Sequence, residues 1–257
     1  MTSLEKRNNS SQHPIFWYLP TIQGHRKIVK MEEAAQYLVG EHDFRNMCKM
    51  DVGNGVVNYN RKILQVIISP LTFSSEQSYQ LFELTVVGQA FLWHQIRCIT
   101  AVLFLVGQGK EKPTIILDLL DVKQHPRKPQ YTMAAELPLV LFDCHFPDIQ
   151  WQYDNEGLDS LIRHLQNHWT HQCIRTTIIK QMLTDLENLR GEHTESISCQ
   201  IEYLTMGVKP RIYKPLLERP YCESLEDRIQ HYAKRQKTTQ DSESSKQKAT
   251  SILSNNL

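Results

Sequence analysis

The stretch Tyr79–Lys110 reads YQLFELTVVGQAFLWHQIRCITAVLFLVGQGK. In its first part Phe82, Leu84 and Val86 alternate with Glu83 and Thr85, the period of two expected of a half-buried strand. At Gly88-Gln89 a turn is expected, and the period lengthens. Leu92, Ile96, Ile99, Leu103 and Val106 then fall at helical spacing, so one side of a helix is continuous hydrocarbon. Arg97 is the only formal charge between Gln89 and Gly109. A cation on so apolar a helix needs an anion or carbonyl groups, because burying an unpaired charge costs several kcal/mol. Trp93, Arg97 and Phe104 form a second stripe, and that side is expected to line a pocket.

Upstream, Arg61 to Ser69 is β-branched and strand-like and is ended by Pro70. Before it, Val52 to Tyr59 reads as a turn, and Met31, Ala34, Ala35 and Leu38 predict a short helix that Gly40 terminates. Downstream, Pro113 opens a helix to about Val122 that buries Ile115, Ile116, Leu119 and Leu120. The two prolines of Gln124 to Gln130 forbid a helix there, which leaves an extended basic connector. Leu137 to Phe146 is apolar on both faces and is expected at the centre of a sheet. Leu158 to Leu189 is helical with a break, and Ser224 caps a last helix reaching about Lys237, with Asp227 at its positive end.

The 257 residues suffice for a sizeable core, and 29 basic against 28 acidic residues exclude a nucleic-acid binder driven by bulk charge. Any such footprint must be local. Six cysteines are scattered without a C-x-x-C pair, and the longest apolar run is too short to span a bilayer. These features point to a reducing intracellular compartment, with no membrane partner, and the KRQK run at Lys234–Lys237 adds the nucleus to the cytoplasm as an expected location. His164, His168, His171 and Cys173 have spacings that metal ligands use, but no accompanying motif does, so no metal is expected.

Three ordered segments resemble the TruA family of tRNA pseudouridine synthases. They are G-x-H-D-F at Gly40 to Phe44, G-Q-A-F-L-W-H-Q-I-R at Gly88 to Arg97 followed by L-V-G-Q-G, and A-A-E-L-P-L-V-L at Ala134 to Leu141. Cys48 to Asp51, Lys128 to Tyr131, Tyr213 to Leu216 and the ending Leu225 to His231 are similar to the eukaryotic branch acting on positions thirty-eight and thirty-nine of the anticodon stem-loop. The resemblance implies an isomerase that needs no cofactor. The target uridine is turned out of the stack, an aspartate attacks, and the freed base is rejoined through carbon five. It also implies an α+β fold with a mixed, largely antiparallel sheet flanked by helices. Carried over, Arg97 pairs with the family's aspartate and Leu139 packs on the base. Arg127, Lys128, Lys209 and Arg211 are expected on the RNA backbone, with tRNA as partner and a homodimer as a further expectation.

The family's R-T-D-x-G-V motif does not occur upstream of Gly40; the first aspartate is Asp43, and Asp51-Val52-Gly53 is only an echo of it. No catalytic residue is therefore assigned. Phe16 to Pro20 matches the altered end of the family's tyrosine-bearing strand. The chain is expected to divide into an N-terminal remnant, altered or disordered, over 1–27, a synthase domain lacking its N-terminal half over 28–223, a terminal helix over 224–237 and a disordered tail over 238–257. On this reading the polypeptide alone is inactive, and a non-catalytic tRNA-binding or dimerising remnant is the alternative.

Overall fold

A computed structural model describes residues 25–71, 81–146, 149–190, 203–207 and 212–235 and the backbone of 13–19; side chains are described from Ile28 onward. Two compact units emerge, one formed by residues 1–145 with 200–257 and the other by Phe146–Cys199.

The first unit is built on a five-stranded sheet. Its strands are β1 (His13–Leu19), β2 (Gly40–Asp43), β3 (Asn60–Pro70), β4 (Phe82–Gly88) and β5 (Leu139–Leu141), in the order β2-β3-β4-β1-β5 with every pair antiparallel. The inward residues of β3 are Ile63, Val66 and Ile68, which do not share one parity. A register irregularity between Ile63 and Gln65 accounts for this, since one extra residue moves every later side chain to the opposite face. Beyond it Val66 faces Val86 and Ile68 faces Leu84 across the strands. The alternation anticipated in β4 is present, with Leu84 and Val86 fully buried and Glu83 and Thr85 half-buried.

Helix α1 (His25–Gln36) packs on β3 and on α2 (Gln95–Gly107), and α3 (Ile115–Leu120) packs on α1 and on a 3-10 turn at Arg45–Met47. The anticipated apolar stripe of α2, from Leu92 to Val106, is buried throughout. The second stripe divides: Phe104 is 1% exposed and belongs to the core, whereas Trp93 is 47% exposed. Phe104 is thus not a pocket wall, because α2 is apolar all round and is covered on more than one side.

Other elements depart from the sequence reading. α1 ends at Gln36, so Gly40, at φ +120°, opens β2 rather than closing the helix. β5 is a three-residue edge strand, not a central one. Leu137 (88% exposed), Leu141 and Phe142 are open, and hydrocarbon on both faces of the sequence did not guarantee neighbours on both sides. Residues His13–Leu19 form β1, which lies between β4 and β5. The last helix spans 225–235 among the described residues. Ser224 Oγ accepts the Asp227 amide at 3.0 Å and lies 2.8 Å from the Asp227 carboxylate, the expected N-terminal cap.

The second unit carries α4 (Asn155–Arg190), one unbroken helix of 36 residues. No glycine or proline lies inside it after Gly157, so nothing interrupts its hydrogen-bond ladder where a break was expected. Among the described residues no helix is long and apolar enough to cross a membrane, and no group of three or more potential ligands forms a metal site. The His164 and His168 rings lie 4.7 Å apart, tilted at 59°, on exposed helix surface.

Candidate functional site

Arg97 sits on the first turn of α2 with its side chain 12% exposed. Its backbone carbonyl accepts the Ala134 amide at 3.1 Å, and its Nε donates to the Ala134 carbonyl at 2.8 Å. Helix and A-A-E-L-P-L segment are therefore clamped at one residue. Its Nη2 donates to Met206 Sδ at 3.0 Å and pairs with Glu136 Oε2 at 2.8 Å. The sequence demanded an anion or carbonyls, and the structure supplies one of each. Glu136 is the anion that Arg97 meets. Glu136 is itself 68% exposed, so the pair lies at the rim of a solvent-open surface and contributes little by itself. No periodicity connects residues 97 and 136, so sequence spacing could not have matched them.

Leu139 opens β5, three residues after Glu136, and is half-buried opposite Trp17. Its amide donates to the Glu136 carbonyl at 2.9 Å, a tight turn that sets Leu139 just beyond the segment to which Arg97 is clamped at Ala134.

His94, just before α2, has φ +58°, the only non-glycine residue with positive φ among those described. Left-handed backbone at a histidine is uncommon, and such strain persists only where the surroundings enforce it. Its ring packs on Trp93 at 4.7 Å, the Trp93 carbonyl accepts the Lys49 amide, and the Lys49 ammonium lies 4.2 Å from the indole centroid. Burial, then the charges of Arg97, Lys49 and Lys128, hold the His94 pKa below its ordinary 6.5. The neutral imidazole therefore belongs to the fold. As pH drops below 6.5 the unfolded chain takes up a proton that the folded chain refuses, so stability falls. The loss between about pH 7.5 and about pH 5.5, read from urea midpoints, is expected to shrink in His94→Asn, whose side chain tolerates positive φ. Equal losses in both proteins would contradict this assignment.

Of the basic residues expected on RNA, Arg127 is exposed, with its guanidinium 5.3 Å from the Tyr221 ring. Lys128 instead points inward. Its Nζ donates to the Cys48 carbonyl at 2.8 Å and reaches Cys98 Sγ at 3.3 Å, while its own carbonyl accepts the Cys222 amide. Lys209 and Arg211 lie outside the described residues. Asp43 and Asp51, the first aspartates of the chain, are both engaged: Asp43 binds the Arg45 guanidinium at 2.7 Å, and Asp51 accepts from the Asn54 amide at 2.9 Å. The sequence reading missed two further anchors. Tyr213 hydroxyl and the Leu216 amide both bind Glu111, and Asn46 joins the 3-10 turn to α3 and the connector.

A largely antiparallel sheet, an apolar helix with one inward arginine and an A-A-E-L-P-L strand entry define a TruA-type catalytic-domain scaffold. A family model described as tRNA pseudouridine synthase matches residues 34–147, and the chain carries a domain of that family. Among curated proteins it is similar to tRNA pseudouridine(38/39) synthase of Homo sapiens, 45% identical over 228 residues, which are 81% of this chain and 47% of the relative. The enzyme of the same name from Saccharomyces cerevisiae is 49% identical over 125 residues, 49% of this chain and 27% of the relative. tRNA pseudouridine synthase A of Chlamydia trachomatis is 30% identical over 148 residues, 58% and 51% of the two chains. The chain spans about half the length of the human relative.

Proposed function

We propose that this chain serves in the isomerisation of uridine to pseudouridine in the anticodon arm of tRNA. It would supply the wall of the cleft that carries Arg97 and Leu139. The observation that carries the reading is the clamp at Ala134, which holds the Arg97 guanidinium at the mouth of β5 with one nitrogen on an exposed, exchangeable carboxylate. Such a cation can orient and stabilise a nucleophilic aspartate, and Leu139 offers an apolar surface for the turned-out base. The catalytic aspartate is assigned to no residue of this sequence. The polypeptide assayed alone is thus expected to bind an anticodon stem-loop in gel shifts but to release no tritium from uridine-labelled tRNA. Turnover would overturn the expected inactivity; absence of tRNA binding would overturn the function.

Backbone contact is assigned to Arg127, Lys209 and Arg211. Replacing all three with alanine is expected to weaken binding and to flatten its salt dependence, by up to roughly 0.9 in the log–log slope for each phosphate no longer neutralised. An unchanged slope would remove these residues from the interface.

A homodimer through α4 belongs to the same proposal. Leu158, Leu161, Leu165, Trp169, Ile179 and Leu186 lie along one side of that helix, and all six are exposed. Two identical stripes can cover one another about a two-fold axis, which buries both at once. The chain is expected to sediment as a dimer, and the double variant Leu165→Glu/Trp169→Glu as a monomer. A monomeric parent chain would exclude the arrangement.

A further inference from the structure

Cys98 follows Arg97 on α2, and its thiol meets a group for which the cleft has no use. Lys128 Nζ, arriving from the connector, is 3.3 Å from Cys98 Sγ, 2.8 Å from the Cys48 carbonyl oxygen and 4.5 Å from the centre of the Tyr131 ring. Both cysteines are free and buried, whereas Lys128 is half-buried. The connector is fixed from its other side as well. Its Lys128 carbonyl accepts the Cys222 amide at 2.8 Å, its Gln130 amide donates to the Pro220 carbonyl at 2.8 Å, and the Tyr131 hydroxyl donates to the Asn46 carbonyl at 2.7 Å. The connector backbone is thus fixed on both sides, and the amine itself is held beside the sulfur by the Cys48 carbonyl.

The two thiols differ. Cys48 directs its S–H toward the Arg45 carbonyl, and burial pushes its pKa up to about 12, so it stays protonated and unreactive. Cys98 is the one that faces an amine. A sulfenic acid formed there has the end of the Lys128 side chain within reach, and condensation with it competes with further oxidation.

We infer that Lys128 and Cys98 form an oxidation-dependent covalent bridge, Nζ–O–Sγ, between the connector and α2. Two molecules of hydrogen peroxide are the oxidant. One converts the thiol to a sulfenic acid and the other, once the ammonium has given its extra proton to solvent, converts the amine to a hydroxylamine, each releasing water. Condensation of the two forms the S–O bond to the hydroxylamine oxygen and expels a third water. Sulfur and nitrogen each give up two electrons, and the two peroxides accept them. The bridging oxygen is favoured over a direct S–N bond because it spans a nitrogen–sulfur separation closer to the observed one and so needs less movement of two anchored segments. The bridge would tie residues 98 and 128 together beside Arg97, and it stands independently of any role in tRNA modification.

The test is peroxide treatment of the folded 257-residue chain, alkylation of remaining thiols, digestion and tandem mass spectrometry. The expected product is a crosslinked pair containing Cys98 and Lys128, heavier than the two peptides by one oxygen and lighter by two hydrogens. It should revert with dithiothreitol, be absent from Lys128→Arg, and fail to form when the chain is oxidised in urea. Recovery of Cys98 as a free thiol, as a sulfinic acid or in a disulfide with Cys48, with the Lys128 peptide unmodified, overturns the inference. The unsubstituted protein alone decides between these results, so misfolding of a variant cannot obscure them.

Discussion

Phe104→Ala is expected to lower the unfolding free energy by about 3–5 kcal/mol, the range for emptying a phenylalanine site in a packed core. Phe104 is flanked on α2 by Val102, Leu103 and Val106, all fully buried, and the helix packs on α1. The neighbouring turns cannot relax into the space easily, because Thr100 is locked to the Ile96 carbonyl at 2.8 Å and the C-terminal turn is closed by the Gln108 amide on the Phe104 carbonyl. Trp93→Ala on the same stripe removes a side chain that is half in water, and is expected to cost well under half as much. Urea unfolding of the two variants separates the readings. Equal losses would mean that the stripe faces one environment along its whole length, contrary to the burial observed.

Asn46→Ala carries the second largest expected loss, roughly 2–4 kcal/mol, from a buried and a part-buried carbonyl that would each lose a partner, at roughly 1–3 kcal/mol for the buried one and less for the other. Asn46 is fully buried, and its Nδ2 donates to the Leu119 carbonyl at 3.0 Å and to the His125 carbonyl at 2.7 Å. It therefore closes the end of α3 and fixes the start of the connector with a single amide group. Asn46→Asp should be at least as damaging, since it removes both donors and sets a carboxylate against two carbonyl oxygens. Denaturation midpoints within error of the parent for both variants would show that water replaces the amide without cost.

The central strand and helix were legible because their apolar residues repeat with the period of the element that buries them. Leu84 and Val86 follow one rule, Leu92 to Val106 the other, and both sets are inside. Arg97 was legible by contrast, as one charge in hydrocarbon. What the sequence did not disclose depended on pairing across long separations. Glu136 is joined to Arg97, and Lys128 to Cys48 and Cys98, through interactions that leave no local periodicity. Charge alone assigned Lys128 to a solvent-facing role, although its carbon stem and ammonium fit a pocket of carbonyl, thiol and ring. The parity change in β3 was equally hidden, because an irregularity of one residue looks like ordinary variation in a β-branched run.

The place of β1 has a bearing on how the polypeptide assembles. It leaves the ribosome before either neighbour, since β4 and β5 both follow it in the chain, and Trp17 must pair with Leu84 on one side and Leu139 on the other. Until both arrive, this early strand is a ribbon with two bare margins, and closing it demands long loops between residues far apart in sequence. The leucine proposed to receive the base is consequently among the later pieces of the sheet to be set, and its position is decided by residues made more than a hundred positions earlier.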